Sequence, residues 1–297
     1  MGYVFLSILG ALCFASHDVI LRRAVIRVSD ATIGVLITIP MSVVLYLGIL
    51  AYLGQLGDIL SFSWQSYVFL SAAGIITYTI GRSLLYSLMK ISGSNISNVL
   101  ITSGVPMISV ILGITLLGET LSWELAGGVL LIISGVVITT LNPQMFTDGK
   151  SLMVGIPAKA YLLALGIGVV WGLSPILIKL GLGSSGSPVA GAFVAHLVAM
   201  IPFIPLLFDE RKRISLVSMK KDAFIYFLIT GLFVATANLL RFIALKNGPA
   251  SIVIPLFSIS PVFALLLSYF LNRKLEIFSR NVIIGTVIVI IGAILLA

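Results

Sequence analysis

Charged side chains are scarce in this chain, and their scarcity excludes a soluble globular protein. Only 9% of the 297 residues are charged, 59% are hydrophobic, and the mean hydropathy is +1.20. Soluble domains carry about 25% charged residues. A chain of this length could not bury so much apolar surface in its own interior, so we expect lipid to surround it.

Cysteine and histidine are also rare, which excludes several kinds of site. Cys13 is the only cysteine, so the chain can form neither an internal disulfide nor a cysteine metal site. His17 and His196 lack the spacing of a zinc motif. Phosphate-binding loops, nucleotide-binding motifs and nucleophilic triads are absent as well. We therefore expect no metal, no cofactor, no nucleic-acid partner and no enzymatic activity.

Most of the sequence consists of apolar stretches that are long enough to cross a membrane. One span takes about 20 residues. We read ten of them, at 2–22, 32–53, 66–90, 95–117, 122–141, 158–182, 188–208, 222–246, 250–271 and 279–297. The longest polar interruption, 142–157, divides the chain. We predict a first five-helix unit at 1–141, a linker at 142–157, and a second five-helix unit at 158–297.

The two halves repeat each other. Pro106 and Glu119 lie 13 residues apart in the first half, and Pro261 and Lys274 have the same spacing in the second. The matching glycines are Gly128 with Gly285 and Gly135 with Gly292. An odd number of spans in each copy inserts the second copy upside down. We predict an all-α membrane protein with ten transmembrane helices as two inverted five-helix repeats, which is typical of secondary transporters.

The loop charges predict an orientation for these spans. Fourteen Lys and Arg residues follow odd-numbered spans, and two, Lys179 and Lys246, follow even-numbered spans. The positive-inside rule then places the odd loops in the cytoplasm and both termini outside.

These features resemble EamA-type members of the drug/metabolite transporter superfamily. The marks are Pro106 followed by the run Leu117-Gly118-Glu119-Thr120-Leu121, and Trp171-Gly172 in the sixth span ahead of Lys179. The resemblance covers the whole chain and implies a membrane transporter of this fold.

Two departures from the family pattern accompany the resemblance. Lys274 stands where the family usually has Glu, and Phe14-Ala15 stands where Trp-Gly is usual. The resemblance also implies cytoplasmic termini, as in many members, which is the opposite of the orientation that the loop charges predict.

Arg82 is the strongest candidate for a binding residue, because ionisable residues at membrane depth usually face a cavity or a partner. Tyr78, Arg82 and Tyr86 recur at i+4 and share one helix face. A guanidinium between two phenols suits a carboxylate or a phosphate. The alternative interpretation is a structural ion pair, for example with Asp18, or snorkelling to the interface.

Further candidates come from the repeat and from other polar positions inside the spans. Asn238 matches Arg82 in the second copy, and Arg241 is its i+3 neighbour, although snorkelling competes with a site role for Arg241. Asn98 in the fourth span and Trp171 in the sixth are further candidates for cavity-lining residues.

His17 and Asp18 are the candidates for proton coupling. Asp18 could exchange between a proton, the substrate and a neighbouring arginine, and His17 titrates in the right range. The alternative interpretation is an ordinary helical ion pair of Asp18 with Arg22 at i+4.

We therefore expect a multi-pass protein of the cell membrane, monomeric, that moves a small polar metabolite by alternating access as a secondary active transporter. An amino acid or an organic anion is the favoured substrate, with a proton or another ion as the coupled partner. Two other functions stay open. One is transport of organic cations or drugs in an aromatic cage with Trp171, and the other is a flippase for lipids or lipid carriers.

Overall fold

The computed structural model describes residues 2–25, 27–28, 33–140, 157–271 and 280–296, and every regular element in them is helical. The α-helices are α1 Gly2–Val25, α2 Ile33–Tyr52, α3 Trp64–Gly74, α4 Gly81–Leu117, α5 Trp123–Thr140, α6 Ala158–Leu182, α7 Pro188–Met200, α8 Glu210–Val217, α9 Lys221–Asn247, α10 Ala250–Phe257, α11 Ser260–Leu271 and α12 Arg280–Leu296. Short 3₁₀ helices cover Leu56–Leu60 and Ile201–Leu207, and a π-helix covers Ile75–Ile80.

Most of these helices are long and apolar enough to cross a membrane. Seven candidate spans reach that length, and three shorter apolar helices lie at Gly104–Leu117, Trp123–Ile138 and Ile283–Leu296. The described chain is thus an all-helical membrane architecture, as predicted. The count of ten spans stays a prediction.

Helix α4 holds a reversal of chain direction. The Leu84 side chain lies beside Gly166 of α6, while Gly104 lies beside Gly168, only two residues further on. A straight helix would separate residues 84 and 104 by about 30 Å. The chain therefore turns back between them, and the two parts of α4 pack on α6 in opposite directions, as the predicted third and fourth spans require.

Glycines allow the last helix of each predicted repeat to pack closely against the other. A Cβ on Gly135 of α5 would lie 2.7 Å from the carbonyl oxygen of Gly285 in α12, and one on Gly292 would lie 2.8 Å from that of Gly128. The four glycines of the repeat thus meet crosswise, Gly135 with Gly285 and Gly128 with Gly292, and they leave no room for side chains between α5 and α12.

Several helices are irregular at membrane depth. The π-helix Ile75–Ile80 joins α3 to α4, and π segments occur often at functional sites. The predicted ninth span is broken between α10 and α11, just before Pro261, where proline removes a helical hydrogen bond. Helix α8, capped by the Asp209 side chain, lies in the connection between the predicted spans 188–208 and 222–246, where the sequence predicts no helix.

Contacts along α1 and α9 define the two ends of the bundle. Tyr3 lies against Gly248, and Ala24 packs with Phe227, so the two helices are antiparallel. We call the end that holds Tyr3 and Gly248 the terminal face, and the end that holds Ala24 and Phe227 the basic face. The described cations at the basic face are Arg23, Arg27, Lys159, Arg211, Lys212, Arg213, Lys220 and Lys221, whereas the terminal face holds Lys179 and Lys246.

Candidate functional site

Four helical segments bring polar side chains together in the interior of the bundle. Tyr46 comes from α2, Tyr78 from the π-helix, His196 from α7, and Asn238 and Arg241 from α9. We call these five residues the interior cluster. Tyr46, Tyr78, His196 and Asn238 are buried, and Arg241 is partly buried. The sequence predicted Tyr78, Asn238 and Arg241, but it did not point to Tyr46 or His196 as site residues.

The His196 ring lies at the centre of the interior cluster. Its centroid is 5.0 Å from that of Tyr46 and 4.6 Å from that of Tyr78. Its Nδ1 lies 2.8 Å from the carbonyl oxygen of Ala192. A carbonyl only accepts, so in the neutral ring Nδ1 carries the hydrogen and Nε2 presents a lone pair.

Several buried polar atoms here have no hydrogen-bond partner among the described residues: the Tyr78 and Thr79 hydroxyls, Nε2 of His196 and Nε of Arg241. Asn238 adjoins Tyr78, and its amide nitrogen donates to the Val234 carbonyl at 2.9 Å. Buried polar groups are nearly always bonded in native proteins. Unpartnered donors and an acceptor side by side therefore indicate a site for a polar ligand.

Arg82 lies one turn beyond Tyr78, with its Cζ 5.9 Å from the Tyr78 ring centroid. With Thr79, Ser83 and Lys212 it lines a cavity of about 280 Å³. The apolar wall of that cavity consists of Val35, Pro202, Phe203 and Leu206. No carboxylate in the described part of the chain forms an ion pair with Arg82 or Arg241.

His17 and Asp18 form a pair that faces Arg82. Nδ1 of His17 lies 3.1 Å from the Thr230 carbonyl oxygen and donates to it, so its Nε2 lone pair faces Asp18 Oδ1 at 3.9 Å. The Asp18 side chain is 58% exposed and lies within electrostatic reach of Arg82.

Trp171 is not one of the five residues of the interior cluster; it contacts the segment that holds Tyr78 and Arg82. Its Nε1 donates to the Thr77 carbonyl in the π-helix at 3.1 Å, and the Thr77 hydroxyl donates to Ser174 at 2.7 Å. Trp171 also packs against Gly81. These contacts attach α6 to the segment that presents Tyr78 and Arg82. The predicted side chains of Tyr86 and Asn98 lie outside the described residues.

A second polar assembly joins helices at the terminal face. The Lys179 ammonium donates to Glu119 Oε1 at 3.0 Å and to the Gly248 carbonyl at 2.8 Å. Glu119 also accepts from the backbone N–H groups of Ala250 at 2.7 Å and Ser251 at 2.9 Å. We call these five residues the terminal clasp. It ties the end of α4 to the end of α6 and to the start of α10, so Glu119 braces a helix junction.

The charge on Glu119 is stabilised by these bonds. Burial by itself would raise the pKa of this carboxyl, but the bonds from Ser251, Ala250 and Lys179 outweigh burial and hold the pKa below its ordinary value. Glu119 is therefore ionised at neutral pH, and its charge sits beside the first N–H groups of α10, where a helix favours an anion.

Known proteins are similar to this chain in sequence or in fold. An uncharacterised protein of Methanocaldococcus jannaschii is 31% identical over 138 residues, which are 46% of this chain and 96% of that protein. A solved crystal structure of another protein superposes with a TM-score of 0.76 at 16% identity, covering 98% of this chain and 94% of the other. At that identity the likeness shows the fold alone.

Residues 1–141 and 158–297 match the EamA-like transporter family, which is nearly the whole length of the chain. Its members are membrane transporters and not enzymes. Together with the apolar helices, this match confirms the resemblance and the predicted location as a multi-pass protein of the cell membrane. The chain belongs to the EamA-like transporter family.

Proposed function

We propose that this chain is a secondary active transporter for a small metabolite that bears a carboxylate, namely an amino acid or an organic anion. It works by alternating access, with ten spans in two inverted five-helix repeats. The M. jannaschii relative supports the duplication, because 96% of its length aligns with only 46% of this chain. That relative has about the length of one predicted repeat.

The choice of a substrate with a carboxylate rests on one observation: Arg82 has no carboxylate partner among the described residues. The guanidinium lines a cavity and forms no ion pair with any described residue. A cation at membrane depth is costly unless a partner compensates it. A carboxylate from the substrate would supply that partner through charge-assisted hydrogen bonds.

The His17–Asp18 pair supports coupling to protons. Both side chains can take up a proton, Nε2 of His17 lies 3.9 Å from Asp18 Oδ1, and Asp18 acts electrostatically on Arg82. A proton on the pair removes a negative charge that competes with the substrate for Arg82. Proton binding and anion binding therefore favour each other, and this linkage couples their transport.

The arrangement of the two ends supports the alternating-access part of the proposal. The terminal clasp ties helices together at the terminal face, whereas the cavity at Arg82 is lined by Lys212, which belongs to the basic face. This asymmetry favours a state that is closed at the terminal face and reached from the basic face. Opening the other end would require the helices of the clasp to separate.

A thermal-shift screen of the purified protein tests the proposal. Amino acids, organic anions, phosphorylated metabolites and quaternary amines are compared, because a ligand that binds only the folded state raises the melting temperature. We expect an anion or a zwitterion to stabilise the wild type and not Arg82→Ala. Arg213→Ala is the control, since it removes an exposed arginine from outside the cavity. Stabilisation by amines alone, unchanged in Arg82→Ala, would overturn the proposal.

A further inference from the structure

The interior cluster offers a second receptor for an anion beside Arg82. Nε of Arg241 and the hydroxyl of Tyr78 are buried donors without partners among the described residues. Both arginines lie close enough to Tyr78 and His196 to act on them electrostatically. The Tyr78 ring lies 5.9 Å from Cζ of Arg82, and Tyr78 adjoins Asn238, which precedes Arg241 by three residues on α9. This arrangement favours one site for the two anion receptors.

The same site also contains acceptors. Nε2 of His196 presents a lone pair and has no partner among the described residues. Asp18 offers a carboxylate within electrostatic reach of Arg82 and His17. Because arginine only donates, these acceptors call for a donor group on the ligand, and an ammonium provides one.

The groups of the site can be matched to the ligand one by one. Arg82 and Arg241 form no ion pair with a described carboxylate, so each suits one carboxylate of the ligand. Nε2 of His196 suits a donor. A zwitterion with one carboxylate leaves one arginine unmatched, and a dicarboxylate without an ammonium leaves the acceptor unmatched.

We propose that the substrate is an acidic amino acid, an α-amino dicarboxylate of the type of L-aspartate or L-glutamate, bound with one carboxylate at Arg82 and the other at Arg241 and Tyr78. This inference rests on the proposed function and names the substrate class of the same cavity. Arg241 is the residue that selects the second carboxylate, because it is the arginine of the interior cluster. Its binding role is distinct from snorkelling, since its Nε is buried.

The test compares each acid with its amide, which has nearly the same shape but no side-chain charge. Dissociation constants for L-aspartate, L-asparagine, L-glutamate and L-glutamine are measured on the purified full chain by calorimetry. We expect the wild type to bind each acid at least about tenfold more tightly than its amide, because a site built for a polar group rejects an analogue that leaves it unpaired. Succinate, which lacks the ammonium, should bind more weakly than L-aspartate.

Arg241→Gln should abolish the preference for the acid while the amides still bind. Lys246→Gln is the matched control, because it removes a cation from the same helix at a position bonded to the Gly183 carbonyl instead. Arg241→Lys keeps the charge and should keep part of the preference, and the melting temperature of each variant without ligand reports its folding.

The outcomes separate this inference from the proposed function. Equal affinity of the wild type for acid and amide, with both lost in Arg82→Ala, would overturn the inference and leave the proposed function standing. A preference for the acid that survives in Arg241→Gln would overturn the assignment of Arg241. Stabilisation by amines alone, unaffected by Arg82→Ala, would overturn both.

Discussion

The terminal clasp and the interior cluster use the same kinds of side chain in opposite ways. In the clasp, Glu119 and Lys179 satisfy each other and three backbone groups. In the interior cluster, polar atoms of Tyr78, His196 and Arg241 have no partner among the described residues. The bonded charges of the clasp hold helices together at the terminal face, although the Ser251 hydroxyl there also has no partner among the described residues. In the interior cluster, unbonded donors and an acceptor gather together, so we expect a ligand to bind there.

Breaking the terminal clasp should have the largest effect on stability. Glu119→Ala leaves Lys179 without its carboxylate and two backbone N–H groups without their acceptor. Removing one partner of a fully buried ion pair costs about 3–5 kcal/mol; this pair is partly buried, so its own share is smaller, and the two N–H groups without an acceptor add to the loss. We expect a large fall in the melting temperature of the detergent-purified protein. Glu124→Ala, at an exposed position in the first turn of α5, is the control and should melt close to the wild type.

Low pH should remove the stabilisation that Glu119 provides, without any substitution. The pKa of Glu119 in the folded protein lies below its ordinary value of 4.5, so the unfolded chain takes up the proton first as the pH falls. The stabilisation is therefore complete above about pH 4.5 and is lost below it, toward the folded pKa. We expect the melting-temperature gap between the wild type and Glu119→Gln to stay constant from about pH 7 to 5 and to narrow below 4.5. A gap that stays the same in stronger acid would contradict this assignment.

Two tyrosines sharpen the comparison inside the interior cluster, and their effects on stability should be the smallest. The Tyr46 hydroxyl donates to the Ala235 carbonyl at 2.8 Å, whereas the Tyr78 hydroxyl has no partner among the described residues. Tyr46→Phe should cost about 1 kcal/mol, the net value of one hydrogen bond.

Tyr78→Phe, in contrast, should leave the stability of the ligand-free protein unchanged or slightly raised, since it removes an unbonded buried hydroxyl. It should instead weaken binding of the anionic ligand, which calorimetry would report. The contrary result is a Tyr78→Phe variant that loses stability and keeps its affinity, which would make Tyr78 a structural residue.

Much of the fold could be predicted from the sequence, because lipid imposes long apolar segments that hydropathy reveals directly. The paired glycines and the reversal within α4 also agree with the repeat and with the predicted third and fourth spans. The π-helix before Arg82 and helix α8 could not be predicted. Both depend on local backbone geometry rather than on the pattern of apolar residues.

Only part of the candidate site could be predicted from the sequence. Arg82, Arg241 and Asn238 stand out because charged and amide side chains are rare inside membrane spans. A tyrosine in an apolar run is ordinary, so Tyr46 does not stand out, and His196 lacks the spacing that would mark it as a site residue. Both join the site only through the convergence of α2 and α7 with α9. The binding roles of all these residues stay predictions.

For Trp171 the sequence predicts a position but not a bonding partner. We predict that Trp171 lines a cavity, and in the structure its N–H donates to the carbonyl of Thr77. A π-helix leaves backbone carbonyls without their usual partners, and an indole can satisfy one of them. No pattern in the sequence predicts the hydrogen bond between Trp171 and Thr77, because the two residues lie about 90 positions apart in the chain.

Solute counterflow in proteoliposomes tests the central claim most directly. Vesicles that contain the purified protein are loaded with unlabelled L-aspartate and diluted into a trace of labelled L-aspartate; if the thermal-shift screen favours another anion, that compound replaces it. The account predicts that the wild type and Arg213→Ala accumulate the label transiently and that Arg82→Ala, folded by its melting temperature, does not. Accumulation by Arg82→Ala at the rate of the wild type would contradict the claim that the unpaired arginine receives the substrate.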